Sequence, residues 1–229
     1  MSLYSDRISM AWKQWLGSEP AEPVVNGRIQ YGPGKGLIKQ VFEGLDASQK
    51  TVKKIATIDP ARKKIILIQP GEKVLYRSGL RETGVSGYLY LFAHATSRSI
   101  QGMIHGIEVA DAIRRSGLWH GEPVLIDACN AGASSDGIAG ELAKVLRTYV
   151  TAPTTTTWNY PLGGSAVGQG AFEKLPGILS TLPIPDLLRP GRWRTWGPDG
   201  EPIATTPTSP RDTGDLLKRP LKQGQEMHR

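Results

Sequence analysis

Two short apolar runs, each closed by a residue capable of chemistry, constrain this chain more than any other feature. Residues 87–93 (GYLYLFA) run directly into His94, and residues 123–128 (PVLIDA) run directly into Cys129. Both are strand-sized and almost continuously apolar, the pattern of strands covered on both faces. Between them Met103, Ile107, Ala110, Ile113 and Arg114 recur at helical spacing and predict a helix over residues 100–118. An earlier β-branched run, residues 65–69, is stopped by Pro70-Gly71 and reads as another buried strand. After Cys129, Ser134-Ser135-Asp136 signals a helix start with Asp136 as its N-cap, and Ile138, Leu142, Val145 and Tyr149 form one apolar face. Residues 150–157 follow as a Thr-rich strand. This alternation predicts an α/β fold with right-handed crossovers and a mostly parallel central sheet covered by helices on both faces.

The flanks are less regular. Residues 1–60 form an N-terminal region whose role the sequence leaves open: an amphipathic piece at 10–16, a Pro- and Glu-containing stretch at 19–23 and a Gly-rich turn at 31–36. That turn lacks the spacing of a phosphate-binding loop. Residues 61–205 form the main domain. Residues 163–170 read as a flexible loop after Pro161. From Pro183 onward the chain becomes loop-rich, with eight of its 17 prolines between Pro183 and Pro220. Residues 192–203 (RWRTWGPDGEPI) predict a hairpin around Asp199-Gly200, with Trp193 and Trp196 packing back on the domain. Residues 206–229, polar and charged, are expected to be disordered.

Charge and composition remove several function classes. Lys and Arg exceed Asp and Glu by 28 to 21, yet the basic residues are scattered, and the small cluster Arg62-Lys63-Lys64 reads as a solvated basic face. No aromatic-interleaved basic patch points to nucleic acid. No apolar run approaches the roughly 20 residues of a membrane span, and the N-terminus carries no secretory-signal pattern. With one cysteine, neither an intramolecular disulfide nor a multi-cysteine metal site can form. His105 and His120 have no metal-ligand spacing with each other or with His94, and no G-x-S-x-G elbow is present. Neither a metal nor a cofactor is expected.

His94 and Cys129 occupy the carboxyl ends of successive buried strands, where open α/β sheets bind ligands. If those strands are adjacent and parallel, imidazole and thiol meet at one rim, near the N-terminus of the helix beyond Asp136, and both would favour a thiolate. Read singly, Cys129 is equally a buried structural cysteine and His94 a hydrogen-bonded spacer. Asp127 shares a strand side with Cys129 and is either a pocket acid or a structural one. Trp158 is either an aromatic pocket wall or a packing residue.

An apolar strand ending in His94, a helix, and a second strand ending in Asp127-Ala128-Cys129-Asn130-Ala131-Gly132 resemble the two catalytic blocks of caspase-like cysteine peptidases. The similarity covers roughly residues 80–158. The run VLIDACNAG, the helix after it, the strand VTAPTTTTW and the piece GRWRTWGPDGEPI most resemble caspase-like toxin domains of bacterial polymorphic toxins and contact-secreted effectors. The resemblance implies a three-layer sandwich and a Cys129–His94 dyad cleaving protein substrates. It implies an oxyanion hole from the backbone N–H groups of Cys129 and Ala95, and a pocket lined by Asp127 and Trp158 that takes Arg or Lys. It also implies delivery into a target cell without a signal peptide, action in that cell's cytoplasm, and a cognate immunity protein as partner. The family usually has Gly where this chain has Ala95, which would be strained if the position required positive φ. The same residues also suit a non-catalytic interaction module, or a dyad hydrolase or acyltransferase acting on small amides.

Overall fold

A computed structural model of the chain describes residues 24–25, 28–30, 36–45, 51–159, 165–170 and 185–210. The stretches at 10–16, 19–23, 31–35, 160–164 and 211–229 lie outside the described residues. The order is β1 (Val24–Val25), β2 (Arg28–Gln30), β3 (Gly36–Leu45), β4 (Thr51–Asp59), β5 (Lys64–Ile66), α1 (Lys73–Arg81), β6 (Leu89–Phe92), β7 (Ala95–Thr96), β8 (Ser99–Ile100), α2 (Gly106–Arg115), β9 (Val124–Asp127), α3 (Ile138–Leu146), β10 (Val150–Pro153), β11 (Thr157–Asn159), β12 (Ser165–Gly170), β13 (Pro185–Pro190), β14 (Trp193–Trp196) and β15 (Pro202–Thr206).

These elements make a mixed α/β fold with one large central sheet, ordered β1-β2-β3-β4-β5-β6-β9-β10-β14-β15. The sheet is parallel only across its centre, β5-β6-β9-β10. On both flanks the pairing is antiparallel, because β1 to β5 and then β14 and β15 are joined as hairpins or return strands rather than through helices. The expected mostly parallel sheet is thus confined to four strands. Residues 36–45 and 51–59 belong to this same sheet: β4 pairs with β3 along its length and with β5 at Thr57↔Ile66, Ile58↔Ile65 and Asp59↔Lys64.

Side-chain alternation sorts the core into two layers. Ile65, Leu91, Ile126 and Val150 face α2 and α3, whose Val109, Ile113, Ile138 and Leu142 are buried against them. Ile66, Tyr90, Phe92 and Leu125 face the other way, toward Tyr76 of α1, and Val167 of β12 packs on that side as well. The parallel strands step in one direction across the sheet, so the face on which each connection crosses fixes its hand. The β5–α1–β6 connection crosses on the face opposite α2 and α3 and therefore has the opposite hand to the other two, where right-handed crossovers were expected throughout.

Two details hold α1 on its face. Gly79 lets the helix close down on the sheet, since a Cβ there would lie 2.7 Å from Phe92 and 3.2 Å from Ile66. At its C-terminus the Lys64 ammonium, fully buried, donates to the carbonyls of Gly79 (2.6 Å), Leu80 (3.1 Å) and Glu82 (2.7 Å), with Asp59 Oδ2 at 3.9 Å. A cation on those carbonyls complements the helix dipole. The expected solvated basic face is therefore corrected at Lys64, which is an internal cap.

Other expectations shift locally. The helix expected from residue 100 does not start there: Ile100 closes the β7–β8 hairpin, and Gln101 (φ 50°) and Gly102 (φ 87°) are left-handed and break any helical path. α2 starts only at Gly106. The predicted 150–157 strand ends at Pro153, and Thr157 opens a second sheet, β11-β12-β13. Residues 165–170 are strand β12 in that sheet rather than a flexible loop. The N-cap of α3 is Gly137; Asp136 instead accepts a hydrogen bond from Ser134 and pairs with Arg98 at 3.5 Å. Arg147 is the left-handed C-cap of α3, so Tyr149 lies beyond the helix. The β14–β15 hairpin forms, and its Trp193 and Trp196 are fully buried, with Trp196 Nε1 donating to Ser135 O at 2.9 Å. No helix among the described residues is long and apolar enough to cross a membrane.

Candidate active site

β6 and β9 are adjacent and parallel, in register at Leu91↔Ile126 and Phe92↔Asp127. His94 and Cys129 each lie two residues beyond the last of these pairs, so they stand at equal register. His94 lies just past β6 and Cys129 in the turn after β9; their contacts, with Glu72 at the start of α1 and with Thr157 beside Val167, put both side chains on the α1 side of the sheet. The small hairpin that follows His94 is tied back to it: Gln101 N–H donates to His94 O (2.7 Å), and His94 N–H donates to Gln101 Oε1 (3.1 Å). The first of these bonds makes Ala95↔Ile100 a non-hydrogen-bonded pair, which turns Ala95 N–H to the outer edge of the hairpin. Ala95 is ordinary strand backbone, not one of the positive-φ residues, so it carries no strain from its methyl group.

The turn after β9 is built by its neighbours. Asn130 adopts φ 60°, a conformation Asn tolerates better than most residues, and its N–H donates to Thr155 O at 2.9 Å. Gly132 N–H donates to Pro153 O at 2.8 Å, and a Cβ on Gly132 would sit 2.6 Å from Ala152 O. Thus Gly132 is glycine because the turn presses backbone to backbone against β10. Among the described residues Cys129 N–H donates to no backbone carbonyl.

The side chains have other partners. Cys129 Sγ, half-buried, lies 3.6 Å from Thr157 Oγ1 in β11. His94 Nε2 is 2.5 Å from Glu72 Oε2, at the N-cap of α1. No hydrogen bond joins His94 to Cys129 among the described residues. Asp127 is buried and accepts a hydrogen bond from the Tyr90 hydroxyl, two strand positions below the rim on the same face. Thr157 pairs with Val167, which packs toward the central sheet, so the adjacent Trp158 points to the opposite side of the small sheet and donates its indole N–H to Gly168 O at 3.0 Å. Thr157, not Trp158, is the β11 residue beside Cys129. The N-terminus of α3 is also less open than expected, because Ile138 N–H already donates to Ser97 O at 3.1 Å.

Glu72 and Thr157 were not singled out in the sequence. Thr157 belongs to a stretch expected to continue in the main sheet, and Glu72 precedes α1, a nine-residue helix not expected from the sequence although its pattern is amphipathic. A family model described as a domain of unknown function (DUF8616) matches residues 64–167. Its bounds run from the buried Lys64 to β12 and enclose α1, His94, Cys129 and Thr157. No curated protein and no solved structure matches the chain.

Proposed function

We propose that the chain is a cysteine endopeptidase with a caspase-like three-layer core, in which Cys129 is the nucleophile and His94 the general acid and base. The observation that carries this reading is that the two residues follow the carboxyl ends of adjacent parallel strands, each two residues past the Phe92↔Asp127 pair, where neighbouring strand backbones lie about 5 Å apart. Cys129 Sγ, its proton passed to His94, adds to the scissile carbonyl carbon. The resulting oxyanion is held by the N–H groups of Cys129 and Ala95. Collapse breaks the C–N bond, the proton on His94 goes to the leaving amine, and a thioester remains. Water, deprotonated by His94, then hydrolyses the thioester and restores the thiol.

Asp127, beneath the pair on the same face, supports a preference for Arg or Lys before the cut, since a buried carboxylate favours a cationic donor. The resemblance to toxin domains extends the reading to an effector that reaches a target cell without a signal peptide, acts in its cytoplasm, and is held in check in the producing cell by an immunity protein. The test is cleavage of a peptide library by the protein beside Cys129→Ala and His94→Ala. Cleavage after Arg or Lys that disappears in both variants is the expected result. Cleavage after other residues retains the dyad and discards the Asp127 assignment, and no cleavage at all removes the peptidase reading.

The Sγ contact with Thr157, with no hydrogen bond between His94 and Cys129 among the described residues, favours a second reading, a non-catalytic interaction module in which Cys129 is inert. The two readings part on thiol reactivity. An activated Cys129 alkylates quickly at neutral pH and slows in His94→Ala, whereas an inert one reacts only on unfolding.

A further inference from the structure

We infer that Glu72 is a positioning residue for His94, holding the imidazole in the Nε2–H tautomer so that Nδ1 is the nitrogen that serves Cys129. The inference rests on the peptidase reading above and adds a third group to the expected dyad. An ionised carboxylate can only accept a hydrogen bond, so a neutral ring whose Nε2 contacts Glu72 Oε2 at 2.5 Å carries its proton on Nε2 and its lone pair on Nδ1. Nδ1 then takes the Cys129 thiol proton. The imidazolium that forms keeps Nε2–H on the carboxylate, and Nδ1–H goes on to the leaving amine, so no charge moves to Glu72.

The carboxylate is held in place from two directions. Glu72 closes a turn in which its N–H donates to Gln69 O at 2.9 Å and its Oε1 accepts from Gln69 N–H at 3.4 Å. The Gln69 side chain is itself clamped, accepting from Ile55 N–H at 3.1 Å and donating to Leu67 O at 2.7 Å. At the other end of α1, the three carbonyls on the Lys64 ammonium stop the helix from sliding along the sheet. Stability does not explain so much restraint on one contact. With side-chain exposures of 48% for His94 and 38% for Glu72, the pair is screened by solvent and adds little to folding. Substitution of this partly exposed side chain is therefore expected to leave the fold intact.

The experiment measures the 15N shifts of the His94 ring and the steady-state peptide cleavage of wild type, Glu72→Gln and Glu72→Ala. Expected are an Nε2–H ring in wild type, a mixed or Nδ1–H ring in Glu72→Ala, and an intermediate state in Glu72→Gln, whose amide oxygen still accepts. Alongside, kcat falls at least about tenfold in Glu72→Ala with KM within about twofold, and Glu72→Gln recovers part of the loss. A ring unchanged in Glu72→Ala, or a kcat within twofold of wild type, overturns the assignment. Wild-type protein that cleaves nothing sinks the peptidase reading instead. The ring spectra alone then decide the Glu72–His94 link, an unchanged ring overturning it and a lost Nε2–H state supporting it.

Discussion

Tyr88 brings a polar atom into apolar surroundings just before β6, and its hydroxyl has no hydrogen-bond partner among the described residues. Burial pushes its pKa up to about 12, from an ordinary value of 10.0. The folded protein therefore keeps this proton where the unfolded chain releases it, so the group leaves stability unchanged below pH 10 and lowers it as pH climbs from 10 toward 12. Urea midpoints should fall across that interval in wild type and fall less in Tyr88→Phe. At pH 7 the same substitution should be neutral or slightly stabilising, because it removes a buried hydroxyl without stripping a partner. A clear loss of stability at pH 7 would show that the hydroxyl is satisfied after all. Gly132 illustrates a residue whose identity was visible in the sequence while its reason was not. It was read as part of the run after Cys129, but only the 2.6 Å approach to Ala152 O explains why no side chain fits.

At the scale of elements, α1 depends on one buried cation. Lys64→Met keeps the volume but leaves the carbonyls of Gly79 and Glu82 without the Lys64 donor, while Leu80 O keeps Arg62 Nη1 at 3.2 Å and Asp59 keeps Arg62 at 3.0 Å. Removing one partner from such a buried arrangement costs on the order of 3–5 kcal/mol. The expected outcome is a urea midpoint lowered accordingly, with the α1 amides losing protection from hydrogen exchange before those of β9 and β10. Uniform loss across the sheet would argue that Lys64 supports the whole core rather than this helix. The same element marks where sequence reading stopped. The runs that became β6, β9 and α3 were legible because their apolar residues meet a sheet or a helix stripe directly. α1 was not, since Val74 and Leu75 are partly exposed, while Tyr76, Gly79 and the Lys64 cap provide the hold. Glu72, the residue facing His94, was hidden with it. Similarly, Ile100 and Met103 share a helical spacing and complete burial, yet the left-handed backbone between them makes a hairpin. Periodicity reports which side chains go inside, and left-handed turns decide by which path.

For the whole molecule, the open question is whether residues 1–60 belong to the fold or are carried by it. β4 answers through what it covers. Ala56 and Ile58 are buried in the sheet, Thr57 and Tyr76 share a hydrogen bond of 2.9 Å, and Ile55 supplies two of the three backbone groups that clamp the Gln69 side chain. Removing this strand bares the β5 edge, whose three residues are all buried, and leaves an unpaired apolar strand able to recruit other chains. Lost burial of Ile58 alone is worth about 1.5–3 kcal/mol, a large share of the stability of a domain this size. A fragment spanning 61–229 should therefore unfold at a clearly lower urea concentration than the full chain and elute as aggregates on size exclusion. If the Gln69–Glu72 turn positions His94 as inferred, the fragment should also lose the Nε2–H state of that ring even where some of it remains monomeric, because the Ile55 clamp has gone. A fragment with the midpoint, elution and ring tautomer of the full chain would make 36–59 an appendage and return the role of the N-terminal region to a delivery or inhibitory segment.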